Sequence, residues 1–302
     1  MKSGILIVNK DKGMTSRDVV NIACGKLKTK HIGHTGTLDP IATGVLVLGV
    51  NDGCKIIELL TSDTKVYKAE VVVGLETDSL DVTGNIINSY NIEDLDKNFV
   101  REIVNSFKGK YMQEVPKYSA VHVNGKRLHE YARNNEEVEL PKREVEIFYI
   151  ELLDEIRKED NYYNFSFRVH VSKGTYIRSL IRDIGEKLGY PCTMKNLLRE
   201  KQGIFSLDKA ISIEEVNGDK LLSIEDALVN YNRIIVDDYI SKKVLNGSIL
   251  EFDVKDDIVL VFNKEEELLA IYKRYQKDLS KMKPYKVFGG KSEEVKWIIS
   301  WL

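Results

Sequence analysis

Between residues 162 and 189 the pattern of apolar and polar positions switches period. Tyr163, Phe165, Phe167, Val169 and Val171 alternate with Asn164, Ser166, Arg168, His170 and Ser172, which predicts a strand with one wet face. The SKGT stretch next in the chain reads as a turn, with Thr175 as the cap of a helix. In that helix Ile177, Leu180, Ile181, Ile184 and Leu188 form one apolar stripe, and Gly189 suits a left-handed end. Arg178 and Arg182 fall off the stripe, Arg178 in the first turn near the preceding loop.

The same reasoning organises the rest of the chain. Residues 5–8 predict a short strand, and Thr15 or Ser16 caps a helix with Val19, Val20, Ala23 and Leu27 inward. Thr15 with Asp18 three residues on resembles a capping box. Residues 45–50 predict a buried strand. Tyr67, Ala69, Val71 and Val73 alternate with polar neighbours and predict another. Residues 93–107 read as a helix with Leu95, Phe99, Ile103 and Phe107 near one face. Residues 108–145 are polar and weakly periodic, and a long connection of that kind is usually functional or mobile. After residue 230 short strand-like pieces (SILEFDV, DIVLVF, LLAIYKRY, YKVFGG) are separated by polar turns, which predicts a small all-β domain. The first 230 residues mix strands and helices, so the expected class is α+β in residues 1–230, followed by a β domain in 231–302.

Composition narrows the class only a little. At 302 residues the chain is long for one core. The apolar run at residues 5–8 is too short for a signal-peptide core, and no run is long enough for a membrane span. Cys24, Cys54 and Cys192 are odd in number and far apart, which argues against a disulfide framework and fits a reducing, cytoplasmic setting. Net charge is −2, yet residues 1–40 hold seven Lys/Arg against three Asp. Residues 273–291 hold seven against Asp278 alone. Such asymmetry fits a nucleic-acid face on a neutral protein, although charge runs alone are more often solvated surface.

Taken singly, the candidate residues are bland. Asp39 before Pro40 is a turn former, Tyr67 a packing residue and Arg178 a surface charge. His31 and His34 lack further ligands for zinc, and the GxxG at Gly33 and Gly36 lacks the GK[ST] of a phosphate loop. No metal site and no cofactor motif is expected.

Four stretches occur in fixed order: GHTGTLDPIATGVLVLGV, KVYKAEVVVGLETDSLDVTG, QEVPKYSAVHVNGKRLHEYAR and SKGTYIRSLIRDIGEKLG. Together this series resembles the TruB-type tRNA pseudouridine synthases, from about residue 4 to residue 203. The tail from about 231 is similar in style to the PUA domain of bacterial members. The resemblance implies a catalytic domain built on a mixed, largely antiparallel sheet with flanking helices, an RNA-binding insert at about 108–145, and a PUA-like RNA-binding domain at 231–302. It implies isomerisation of uridine 55 in the T-loop of tRNA, acting on the T-arm stem-loop as a monomer, with no obligatory protein partner, cofactor or membrane. A non-catalytic RNA-binding or RNA-folding protein on the same scaffold, or a synthase for another RNA, are the alternatives.

The resemblance also assigns roles. Asp39 matches the catalytic aspartate, Arg178 the arginine that pairs with it, and Tyr67 the tyrosine that stacks on the target uracil. His34 matches a residue that holds the flipped-out loop, Lys10 a pocket lysine, and Tyr176 and Leu197 the pocket wall. Asp11 stands where the family usually has Pro, and His122 where Lys is common. The chemistry suits this set. A glycosidase needs two carboxylates flanking the bond. An isomerase whose detached base recombines before water arrives needs one carboxylate, a guanidinium to stabilise its charge, and a dry pocket. The insert is expected to be poorly ordered without RNA.

Overall fold

The structure is a computed structural model that describes residues 2–61, 64–134, 136–153 and 156–289. Seven strands form the spine of a ten-stranded sheet: β1 (Gly4–Lys10), β2 (Thr43–Val50), β3 (Lys65–Val73), β4 (Gly109–Glu114), β5 (Lys142–Leu152), β6 (Tyr162–Val171) and β7 (Cys192–Gln202). Their order is β1-β2-β7-β3-β6-β5-β4. The pairs β7–β3, β3–β6, β6–β5 and β5–β4 are antiparallel, and β7–β2 is parallel. The sheet is therefore mixed and largely antiparallel, as the family resemblance implies.

The helices of this part of the chain include α1 (Ser16–Leu27), α2 (Lys97–Asn105) and α3 (Ile177–Leu188). The α1 capping box is present: Thr15 Oγ1 accepts from the Asp18 N–H, and Asp18 Oδ2 accepts from the Thr15 N–H at 2.8 Å. In α3 the stripe Ile177, Leu180, Ile181, Ile184 and Leu188 is buried, and Gly189 ends the helix at φ 78°.

Three expectations need correction. Thr175 does not cap α3: the N-cap is Tyr176, whose side chain makes no capping bond, and the Thr175 hydroxyl bonds back to Ser172 O. The buried positions of α2 are Val100 and Val104, while Phe99 is exposed. Leu95 and Phe107 do reach the core, but from the flanks of the helix, so the inward face is turned by one residue. Residues 108–145 are not structureless. β4 pairs with β5 along its length, residues 122–127 form a small hairpin, and Leu128–Arg133 is a short helix. Its periodicity is weak because β4 is an edge strand with outward Met112 and Lys110, so burial does not impose alternation on both sides.

By packing, the chain forms two compact units. One comprises Ile7–Leu48 and Glu58–Asn217. The other comprises Met1–Leu6, Gly49–Ile57 and Gly218–Leu302, as far as these are described. The strand pattern suggests a cut after residue 230. Packing instead groups residues 218–230 with the C-terminal part, and Ile5 and Leu222 exchange backbone hydrogen bonds at 2.8 Å within that unit. The second unit carries a four-stranded sheet in the order β8 (Asn232–Ile235), β9 (Ile258–Phe262), β10 (Leu268–Arg274), β11 (Met282–Val287). One helix, α4 (Asp238–Leu245), is capped by the Asp237 carboxylate, and it supplies Val244 to a core with Val259, Val261 and Tyr272.

Candidate active site

Residues 33–44 connect to β2, and their backbone is held from several sides. The Ser16 hydroxyl, at the start of α1, donates to Leu38 O at 3.2 Å and accepts from the Leu38 N–H at 2.9 Å. The Ala42 N–H donates to Asp39 O and closes the turn. The Gly13 N–H donates to Pro40 O at 2.7 Å. Lys10, almost wholly buried, donates to Met14 O at 2.7 Å, Asp11 O at 2.9 Å and Pro40 O at 3.5 Å. Arg199 is also buried, and donates to Val45 O at 2.6 Å and Gly36 O at 3.2 Å. Gly44, at φ +100°, has to be glycine, because a Cβ there would stand 2.3 Å from Arg199 O. A carboxylate on such a loop is fixed in place.

Asp39 meets Arg178 in a two-point contact. The Nε lies 2.9 Å from Oδ2 and Nη2 lies 3.2 Å from Oδ1. The guanidinium is buried, at 7% side-chain exposure, and its remaining donors are used. Nη1 donates to Ser79 O at 3.0 Å and Nη2 to Tyr118 O at 3.0 Å, and Asp81 Oδ2 stands 3.9 Å from Nη1. A fork with its donors engaged in this way cannot rotate freely, and this is what a planar guanidinium offers over an ammonium. The Asp39 side chain is 35% exposed. The expectation of a dry carboxylate is therefore corrected. The pair is buried on its arginine side and open on its carboxylate side, so a substrate seated against it would complete the exclusion of water.

The other candidates are distributed around this pair. Tyr67 lies on β3 opposite Arg199 on one side and Val169 on the other, and Leu197 lies opposite Ala69, so Tyr67 and Leu197 share a sheet face. Both are buried. Tyr176 precedes Arg178 by two residues, and the Arg143 guanidinium stands 5.5 Å from its ring centroid. His34 ends a short strand, Ile32–His34, and its buried Nδ1 has no partner. Burial, then the charges of Arg17 and Arg199, push His34 below the usual imidazole range. Burial also brings Lys10 down to about 8, against the opposing pull of Asp39 and Asp11. Asp39 and Arg178 are thus joined by hydrogen bonds, and Lys10 is coupled to Asp39 by charge. No hydrogen bond or ion pair joins Tyr67, His34 or Leu197 to Asp39 or Arg178 among the described residues.

Several supporting residues escape sequence reasoning. Ser79 and Tyr118 act through backbone carbonyls, which carry no residue-type signal. Asp81, 5% exposed, sits among turn-forming residues and reads as one of them. Arg199 carries a signal: it occupies an inward position on a strand, where a charged residue is rare unless engaged. No group of three or more His, Cys, Asp or Glu side chains able to hold a metal occurs among the described residues.

In the C-terminal unit, Lys273 and Lys286 stand 3.4 and 4.6 Å from the Tyr285 ring centroid. Lys281 pairs with Asp278, and Arg274 binds the backbone at Val254 and Asp256. Lys291 lies outside the described residues.

Residues 25–177 match the family model described as TruB family pseudouridylate synthase (N terminal domain). The tRNA pseudouridine synthase B of Bacillus licheniformis is 42% identical over 309 aligned residues, covering 97% of this chain and 100% of that protein. The Bacillus subtilis protein of the same name gives the same values. That of Staphylococcus aureus is 41% identical, covering 96% and 100%. Among solved structures, a Cbf5-Nop10-Gar1 complex aligns with a TM-score of 0.68 at 25% identity, over 95% of this chain and 84% of the other. An H/ACA RNP bound to a substrate RNA containing 2'-deoxyuridine aligns with the same score at 22% identity, over 94% and 84%, a likeness of fold.

Proposed function

This chain belongs to the TruB family of pseudouridylate synthases, and we propose that it isomerises uridine 55 in the T-loop of tRNA to pseudouridine. The observation that carries this reading is the two-point contact between Asp39 and Arg178 at the end of a loop fixed by Ser16, Lys10 and Arg199.

The reaction breaks the bond from N1 to C1′, turns the uracil, joins C5 to C1′ and moves a proton from C5. The target base is stacked inside a folded loop and has to be flipped out, at a cost of a few kcal/mol. Contacts from basic residues near the N-terminus, in the 108–145 insert and in 273–291 offset that cost. Asp39 presents an ionised carboxylate to the reacting nucleoside, and Arg178 stabilises that charge while holding its plane. Tyr67 offers a ring face to the uracil, and its hydroxyl, which has no partner among the described residues, is free to assist at C5. Tyr176 and Leu197 form apolar wall, His34 holds the flipped-out loop conformation, and Lys10 secures Pro40. By motif order, catalysis is assigned to residues 1–230 and RNA binding to a PUA-like domain at 231–302, although residues 218–230 pack with the C-terminal unit. The protein works in the cytoplasm as a monomer, on the T-arm stem-loop, without an obligatory protein partner.

The test is a carbodiimide map of an unmodified tRNA transcript after incubation with the purified chain. A single new modification at position 55 supports the reading. Binding without product would make the chain an RNA-binding or RNA-folding protein, and product only in another RNA would reassign its substrate.

A further inference from the structure

The first turn of α3 carries Arg178, yet this helix lacks a cap of its own. Its N-cap residue is Tyr176, which makes no side-chain capping bond. Gln113, on β4 and 0% exposed, instead holds the backbone of the N-cap residue from 63 residues away. Its Oε1 accepts from the Tyr176 N–H at 2.8 Å, and its Nε2 donates to Tyr176 O at 3.1 Å. One amide thus grips both backbone groups of a single residue. Tyr176 O is shared with the Leu180 N–H, the helix's own bond, so the grip fixes the helix as well as the residue.

Gln113 is itself held. Its Nε2 also donates to the Tyr111 hydroxyl at 2.6 Å. Arg182 binds Asp183 at 2.7 Å and Glu114 at 3.1 Å, and the Ser179 hydroxyl donates to Glu114 O at 2.8 Å. Gln113 is the buried member of this group, and Tyr111, Asp183, Arg182 and Glu114 lie partly exposed beside the apolar stripe of α3. Five residues beyond Gln113, Tyr118 O accepts from Arg178 Nη2. The strand that fixes the backbone at 176 thus leads directly to a carbonyl that orients the guanidinium at 178.

We propose that Gln113 is a positioning residue for this reaction: it holds both backbone groups of Tyr176, the N-cap residue of α3, and so sets Tyr176 and the Arg178 fork against Asp39. Its role rests on the reading of Asp39 and Arg178 as the reacting pair. Its effect falls on the chemical step, because Gln113 is fully buried and has no surface to offer RNA.

The test uses the full chain and a tRNA transcript carrying tritium at uridine C5, which isomerisation releases to water. Single-turnover release and tRNA binding are measured in parallel. Gln113→Met keeps volume and removes both bonds, and should slow release about 10- to 100-fold while tRNA affinity stays within about threefold. Gln113→Glu places an ionised oxygen against Tyr176 O. Its rate, divided by the wild-type rate at each pH, should rise as the pH is lowered and the acid regains a donor hydrogen. Should Gln113→Met fail to fold, the Gln113→Glu series carries the test alone. Wild-type release rates in both variants, a loss confined to affinity, or a flat pH ratio for Gln113→Glu would overturn the inference alone. No release from the wild-type protein would overturn the reading of the site, and the inference with it.

Discussion

The two helix starts that serve the candidate active site are built in opposite ways. At α1 the cap is local: Thr15 and Asp18 satisfy each other's backbone, and the adjacent Ser16 hydroxyl clasps Leu38 and so holds the Asp39 loop. At α3 the support is remote: Gln113, on a strand, holds the backbone of the N-cap residue Tyr176, and the first turn presents Arg178. One helix start holds the carboxylate side of the pair and the other holds the guanidinium side. A locally capped helix can form its end early and independently. A remotely held one reaches its geometry only when the sheet is assembled. The Asp39–Arg178 contact therefore depends on the complete fold, although half of its scaffold is locally encoded.

The largest test of this contrast removes the pair itself. Asp39→Asn should lower single-turnover pseudouridine formation by at least about a thousandfold. Its tRNA affinity should stay within about tenfold, or ~1.4 kcal/mol, by filter binding. Turnover near the wild-type rate would remove the assigned role. Arg178→Lys should cost about a hundredfold or more in the same assay, because an ammonium cannot span both Asp39 oxygens, Ser79 O and Tyr118 O.

Lys10 sharpens the comparison on the α1 side, since it ties Met14, next to the cap, to Pro40, next to Asp39. Burial lowers Lys10 from 10.5 in the unfolded chain to about 8. Below about 8 both states hold the proton, and the folded state bears the full cost of burying the charge. Between about 8 and 10.5 the unfolded chain binds more protons, so the stability that this residue contributes rises with pH. Denaturant unfolding at pH 7 and pH 10 should show wild type gaining about 2 kcal/mol relative to Lys10→Met. A difference independent of pH would mean that Lys10 is not desolvated as described.

The smallest effect should come from the local cap. Thr15→Ala should cost about 1 kcal/mol of stability by denaturant titration and leave single-turnover rates within about twofold, because Ser16 still clasps Leu38. A large loss of rate would mean that the two helix starts are not as different as their hydrogen bonds make them.

The legibility of the site divides in the same way. Tyr67 and Arg199 face each other across two strands separated by more than a hundred residues, and no periodicity pairs them. Asp39 and Arg178 each read as ordinary until the motif series is taken together, because an aspartate before proline and an arginine in a first turn fit common structural roles. The exposure of Asp39 is illegible in the sequence because it depends on what surrounds a loop and not on the loop's own residues. Thr175 reads as a cap because Thr caps helices locally, whereas the N-cap is Tyr176, whose backbone a buried glutamine on a strand holds.

By itself, then, the sequence determined the alternation of β3 and β6, the apolar stripe of α3, the capping box of α1, and the left-handed stop at Gly189. Each of these is a relation between near neighbours, fixed by backbone geometry and by which face meets the core. Only the tertiary structure decided that Gln113 holds Tyr176, that Ser79 and Tyr118 carbonyls aim Arg178, and that the carboxylate of the pair stays partly open. Backbone carbonyls are offered by every residue, and burial is set by chain segments far apart, so neither leaves a mark in the local order of side chains.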